Sequence, residues 1–178
     1  MTQTMLKPLI TADEIAERTK EIAVDIRRDF GDEELIVVGV LKGSFLFVAD
    51  LCRHLGINVK VDFVQTSSYG AEKSSSGIVQ IRKDLDVNIE GKNVLIVEDI
   101  IDTGLTLTHL MQIWQTRKPK ALRVATLLSK PAARTHEMNV DYVGFEIPKK
   151  FVVGYGLDHG ERYRNLPYIA ELIDDASN

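Results

Sequence analysis

Three acids and two threonines crowd into nine residues, Glu98 to Thr106, directly behind an apolar run. Glu98 and Asp99 follow Val94-Leu95-Ile96-Val97. After Ile100 and Ile101 come Asp102, Thr103, Gly104, Leu105 and Thr106. A phosphate monoester suits the Thr-Gly-Leu-Thr turn. Backbone N–H groups of residues 103 to 106 would open a helix unpaired, with the positive end of its dipole behind them. Gly104 lets the chain approach a ligand closely, and Thr103 and Thr106 add hydroxyl donors. Glu98 and Asp99 can accept hydrogen bonds from sugar hydroxyls or hold a hydrated Mg2+. Asp102, at the lip of the turn, can accept a proton.

Blander accounts exist for each acid taken singly. An acid before a helix is commonly an N-cap, which would explain Asp102 alone. An apolar run ending in Glu-Asp also fits the Mg2+-binding strand of P-loop ATPases. The chain holds neither a Gly-x-x-x-x-Gly-Lys-Ser/Thr nor a Gly-x-Gly-x-x-Gly, so the triphosphate and dinucleotide readings lose their main support.

The surrounding pattern says what must position these groups. Val94 to Val97 reads as a strand buried on both faces, the kind found in parallel sheets. Leu107, Leu110, Met111 and Trp114 recur at helical spacing, and Pro119 closes the segment. A ligand loop between a strand's carboxyl end and a helix is where open α/β sheets bind. The pattern repeats upstream: Leu35 to Leu41 is an apolar strand, Lys42-Gly43-Ser44 a turn, and Phe45 to Leu55 a helix. Before it, Thr11 and Glu14 form a capping box for a helix with Ile15, Ile22, Ala23, Ile26 and Phe30 on one face. Leu122 to Leu128 is another strand, ending at Ser129-Lys130-Pro131, and Tyr142 to Pro148 is a shorter one. Val59 to Gln65 and Ile78 to Arg82 read as strands flanking a small, polar stretch, Thr66 to Gly77, that holds one aromatic, Tyr69. We read that stretch as a mobile lid. The 178 residues fit one domain.

Composition narrows the partners. A net charge of −4 argues against a surface that coats nucleic acid. The one cysteine, Cys52, sits with Leu51 and Leu55 in a helical pattern and reads as a buried, inert thiol, which fits a reducing compartment. No apolar run reaches transmembrane length, and the N-terminus lacks a signal peptide's apolar core. A soluble, cytoplasmic protein without membrane or nucleic-acid partners is expected.

Val94 to Thr106 resembles the phosphoribosyl-pyrophosphate (PRPP) signature of type I phosphoribosyltransferases: apolar strand, Glu-Asp, two apolar residues, then Asp-Thr-Gly-x-Thr, with Leu105 as x. The rest of the chain, from about residue 8 to 174, resembles the hypoxanthine-guanine branch of that family. The resemblance implies an α/β fold: a central, mostly parallel sheet flanked by helices. A small hood would be built from both chain ends (about 1–10 and 145–178), with a lid over 66–82. It implies purine salvage: transfer of the 5-phosphoribosyl group from PRPP to N9 of a 6-oxopurine base, hypoxanthine or guanine, giving IMP or GMP and pyrophosphate.

Residue by residue, the resemblance assigns Glu98, Asp99, Asp102, Thr103, Gly104, Leu105 and Thr106 to the ribose and 5′-phosphate, with Asp102 as general base near N7. Lys42, Gly43 and Arg164 fall to pyrophosphate, with a cis peptide in the Leu41-Lys42-Gly43 turn. Ser68 and Tyr69 match the lid pair that covers the transition state. Lys130 matches the donor to the purine O6, Phe151 the aromatic that stacks on the base, and Val152 the residue whose backbone meets the base edge. Leu157 would pack beside that edge, and Asp158 is grouped with these purine-binding residues. Mg2+ is the implied cofactor, held by Glu98, Asp99 and Asp158, and a homodimer or homotetramer is the implied assembly. The chain departs from the pattern at Leu105, where some relatives carry lysine, and at His159-Gly160, where relatives differ among themselves. A PRPP-sensing regulator that binds RNA or DNA shares the Glu98-to-Thr106 signature, but the acidic chain shows no arginine stripe or basic helix.

Overall fold

The computed structural model describes residues 5–56, 58–68 and 79–173. Nine strands and three helices follow in the order β1 (Met5–Ile10), α1 (Ala12–Phe30), β2 (Leu35–Leu41), α2 (Phe45–Leu55), β3 (Val59–Ser68), β4 (Val79–Lys83), β5 (Asn93–Ile101), α3 (Leu105–Gln115), β6 (Ala121–Ser129), β7 (Tyr142–Glu146), β8 (Val152–Val153) and β9 (Ile169–Ile173). One sheet runs β4-β3-β2-β5-β6-β7. β2, β3, β5, β6 and β7 are parallel, and β4 lies antiparallel on the β3 edge. A second, antiparallel sheet, β1-β9-β8, joins segments from opposite ends of the sequence.

The unbroken apolar runs of the central strands are explained by what covers each face. Successive side chains of a strand point to opposite sides. Leu35 and Val37 of β2, with Leu95 and Val97 of β5, pack with the apolar stripes of α1 and α2. Ile36, Val38 and Val40, with Val94 and Ile96, pack with Leu107, Leu110 and Trp114 of α3. Both faces are therefore dry, and after Asn93 at the start of β5 neither strand has a polar side chain until its carboxyl end.

The capping box of α1 forms: Thr11 Oγ1 accepts from the Glu14 amide at 3.2 Å, and Glu14 Oε2 accepts from the Thr11 amide at 2.8 Å. The far end of α1 is tied to the sheet by Asp29. Its Oδ2 accepts from the Tyr142 hydroxyl at 2.8 Å and from Arg123 at 2.6 Å. The Tyr142 hydrogen bond is the main reason the Asp29 carboxyl is held below its usual range.

Candidate active site

Strands β2, β5 and β6 end side by side, so their following loops share one edge. A cavity of about 310 Å3 opens there, lined by Lys42 and Gly43 after β2, Glu98 through Leu107 on β5 and its loop, Thr66 on β3, and Asp158 and Arg164 from the segment between β8 and β9. Residues from four separate stretches of sequence thus face one space.

The turn before α3 leaves the helix start without a side-chain cap. Gly104 sits at φ +84° as the N-cap, and no side chain caps the helix. Asp102 therefore is not spent as an N-cap. The first intrahelical bond runs from the Thr108 amide to the Gly104 carbonyl at 3.0 Å, so the amides of Thr106 and Leu107 precede it without intrahelical acceptors. The turn is braced from behind: the Thr135 and His136 amides both donate to the Thr103 carbonyl at 3.1 Å. A side chain at residue 104 would meet Arg134 Cδ at 3.1 Å, so the bracing segment also explains why glycine stands there.

Gly43 has a sharper constraint. A Cβ at that position would lie 1.6 Å from Asp99 Oδ2. On the far side, a Cβ on Gly156 would lie 1.9 Å from the Gly43 carbonyl oxygen. The Lys42–Gly43 turn is thus wedged between the β5 carboxylate and the loop after β8, and the peptide bond leading into it, Leu41–Lys42, is cis.

The electrostatics are uneven. Glu98 is buried at the strand's end, and burial, then the neighbouring Asp99 charge, pushes its carboxyl well above the usual range. Burial likewise raises Asp99. Asp102 is half exposed, and both its oxygens lie 3.3 Å from Nζ of Lys130, a buried lysine whose own amide donates to the Ile101 carbonyl at 3.0 Å. Arg164 donates from Nη1 to the Gly156 carbonyl at 2.8 Å, and its Nη2 forms an ion pair with Asp158 Oδ1 at 3.0 Å. Its Nε is buried with no acceptor among the described residues.

The residues expected at the purine lie on β8 and the segments around it. Phe151 is exposed, an unusual state for a phenyl ring, and its edge meets the His159 ring at a centroid distance of 5.4 Å. The Phe151 carbonyl accepts from the Leu172 amide, so strand alternation turns the N–H and C=O of Val152 toward the free edge of β8, the end strand of its sheet. The side chains of Val152 and Leu157 point into the core. Lys130, Phe151, Val152 and Leu157 do not line the cavity itself. Ser68 ends β3, while Tyr69 and most of the expected lid, 69–78, lie outside the described residues; 79–83 is strand β4.

As for a metal, no group of three His, Cys, Asp or Glu gathers as a ligand set among the described residues. The donors present are carboxylates in ones and twos, Glu98 with Asp99 and, separately, Asp158. That is the donor chemistry of Mg2+, which retains waters and takes one or two carboxylates together with substrate oxygens. No helix among the described residues is long and apolar enough to cross a membrane.

Sequence reasoning missed several contributors. Thr66 lines the cavity, Gly156 abuts the Lys42–Gly43 turn, and Arg134 to His136 brace the 102–106 turn. Gly154-Tyr155-Gly156 was a visible signal, since paired glycines mark close backbone approach. Nothing local marks Thr66 or Arg134.

Comparison with known proteins fits this geometry. Residues 10–159 match the model of the phosphoribosyl transferase domain. The chain is 48% identical over 166 residues to a hypoxanthine-guanine phosphoribosyltransferase of Bacillus subtilis, covering 93% of this chain and 92% of the relative. It is 48% identical over 171 residues to the enzyme of that name from Dictyostelium discoideum, covering 94% and 95%. A crystal structure of a hypoxanthine-guanine phosphoribosyltransferase from Bacillus anthracis superposes with a TM-score of 0.89 at 49% identity, over 96% of this chain and 100% of that one.

Proposed function

The chain belongs to the phosphoribosyl transferase family, and from that premise we propose that it transfers the 5-phosphoribosyl group of PRPP to N9 of hypoxanthine or guanine, releasing pyrophosphate and giving IMP or GMP. One observation carries the reading: Lys42, Gly43, Glu98, Asp99, the 102–106 turn, Asp158 and Arg164 line a single cavity, with Lys130 at its lip.

Each part has a task that follows from its chemistry. The amides at the start of α3, with Thr103 and Thr106, hold the 5′-phosphate; Leu105 adds only its backbone amide, which otherwise donates to Thr103 Oγ1 at 3.3 Å. Glu98 and Asp99 accept from the ribose hydroxyls. The Lys42–Gly43 turn offers backbone donors to the pyrophosphate, and the Arg164 fork suits its oxygens. Phe151 stacks on the base and the free edge of Val152 meets its rim, with Leu157 fixing the loop from beneath. The Lys130 ammonium donates to the purine O6; an adenine amino group there would leave it facing another donor. Breaking the C1–O bond leaves an oxocarbenium-like ribose that N9 attacks. Asp102 takes up the proton the base gives up, and the neighbouring Lys130 stabilises the carboxylate until then. Ser68 and Tyr69 would exclude water during transfer.

Mg2+ would be held by Glu98 and Asp99 on the ribose side and by Asp158 on the pyrophosphate side, neutralising leaving-group charge. The single, half-buried Cys52, whose thiol burial pushes up, supports a reducing, cytoplasmic setting. A homodimer or homotetramer belongs to the same reading, and sedimentation would reveal it.

The test is a spectrophotometric assay of each purine with PRPP and Mg2+. Hypoxanthine and guanine should turn over and adenine should not. Turnover of adenine in preference to either oxopurine would overturn the assignment.

A further inference from the structure

Glu161 stands on the turn between Asp158 and Arg164 and belongs to none of the substrate contacts above. Its backbone adopts φ +64°, held by its amide donating to Asp158 Oδ2 at 2.8 Å. This turn presents the carboxylate across the site to the β2 loop. Oε2 lies 2.9 Å from Lys42 Nζ, and Oε1 lies 3.4 Å from Arg164 Nη2. One carboxylate therefore spans two cations that come from distant parts of the chain. They flank the pyrophosphate position: Arg164 is assigned to it directly, and the Lys42 ammonium stands on the turn whose backbone is assigned to it.

Two oxygens of a single anion bridging a lysine and an arginine is the pattern a diphosphate would make there. We propose that Glu161 is an internal competitor of pyrophosphate: it ties Lys42 and Arg164 together in the free enzyme and must release both when PRPP or pyrophosphate binds. The consequence is a site whose cations are never left without a counter-charge and whose leaving group meets a rival as it departs. A residue serving only as scaffold would act in the opposite direction, since loosening it would misplace Arg164 and weaken pyrophosphate binding. The sign of the effect therefore separates the two roles.

The inference rests on Lys42 and Arg164 holding pyrophosphate, so the experiment includes variants of both kinds. Magnesium pyrophosphate is titrated calorimetrically into wild type, Glu161→Gln, Glu161→Ala and Arg164→Ala. Because both pairs are solvent-exposed and such pairs are weak, the dissociation constant should fall by about threefold to tenfold in the two Glu161 variants. The KM for PRPP should fall with it. In Arg164→Ala the dissociation constant should rise. An unchanged or raised constant in both Glu161 variants, with Arg164→Ala still weakened, refutes the competitor role and leaves the pyrophosphate site standing. An unchanged constant in Arg164→Ala removes the pyrophosphate site, and the competitor role with it.

Discussion

Gly43→Ala is the substitution that most directly probes the assembled site. The added Cβ would start 1.6 Å from Asp99 Oδ2, against the 3.4 Å at which ordinary contact begins, so one side must give by about 1.8 Å. The turn cannot retreat toward the other side, because Gly156 already abuts the Gly43 carbonyl. Asp99 cannot swing away freely either, since its Oδ1 accepts from the Ile100 amide at 2.8 Å. The displacement must therefore appear in the Lys42–Gly43 turn, in the Asp99 carboxylate, or in both. A misplacement of about 1 Å in a positioning group can cost 10²-fold in rate, which corresponds to about 2.7 kcal/mol of transition-state stabilisation. We expect kcat/KM for PRPP to fall by at least that factor at saturating hypoxanthine. The melting temperature should move little, because the strain sits at the sheet edge and not in either core cluster. A variant with kcat/KM within twofold of wild type would refute the wedge between Asp99 and Gly156.

Three further substitutions test other parts. Asp102→Asn should lower kcat by about 10² or more with the fold intact, measured in the same assay; unchanged turnover would remove Asp102 from proton transfer. Lys130→Gln should raise KM for hypoxanthine far more than KM for PRPP, and the reverse pattern would displace it from the purine. Asp29→Asn should cost about 1–3 kcal/mol of stability at neutral pH, since it weakens charged hydrogen bonds to Tyr142 and Arg123. The Asp29 carboxyl is held below its usual value in the folded chain, so its contribution is present above the unfolded pKa and is lost as pH falls through the folded one. In urea melts the gap between wild type and variant should therefore close on acidification; a pH-independent gap would contradict that linkage.

The central sheet was legible because its strands are buried on both faces, and unbroken apolar runs such as Leu35 to Leu41 and Val94 to Val97 leave few alternatives. The helices were legible from their stripes and, for α1, from its capping box. β1 and β9 were harder, because each is a short strand whose partner lies at the opposite end of the sequence, and pairing over that distance leaves no local periodicity. Within the site, the residues on strand-to-helix turns were readable from type and spacing. Gly156 against Gly43 was not, nor was Glu161 against Lys42, because both contacts join segments more than a hundred residues apart. The alternative account of Asp102 as an N-cap fails for a local reason: the chain turns at Gly104, two residues later than a capping acid requires.

The charge of the cavity leads to the last prediction. Four carboxylates, Glu98, Asp99, Asp102 and Asp158, line it against two cations, Lys42 and Arg164. PRPP carries phosphates at both ends, so an anionic substrate must enter a space where acids outnumber bases. The α3 N-terminus offers only about half a positive charge, and only to the 5′-phosphate. Burial already holds Glu98 and Asp99 partly against ionisation, the cost of taking carboxylates out of water. A divalent ion accompanying PRPP resolves both problems, and at an effective dielectric near 20 one unit-charge contact at 4 Å is worth about 4 kcal/mol. Tenfold weaker PRPP binding in EDTA than in Mg2+ is accordingly a lower bound, since tenfold corresponds to only about 1.4 kcal/mol. Calorimetry reads this without turnover, and linkage requires that PRPP tighten Mg2+ binding by the same factor. Equal PRPP affinity with and without the metal would mean that the acids of this edge serve the ribose hydroxyls and the proton alone.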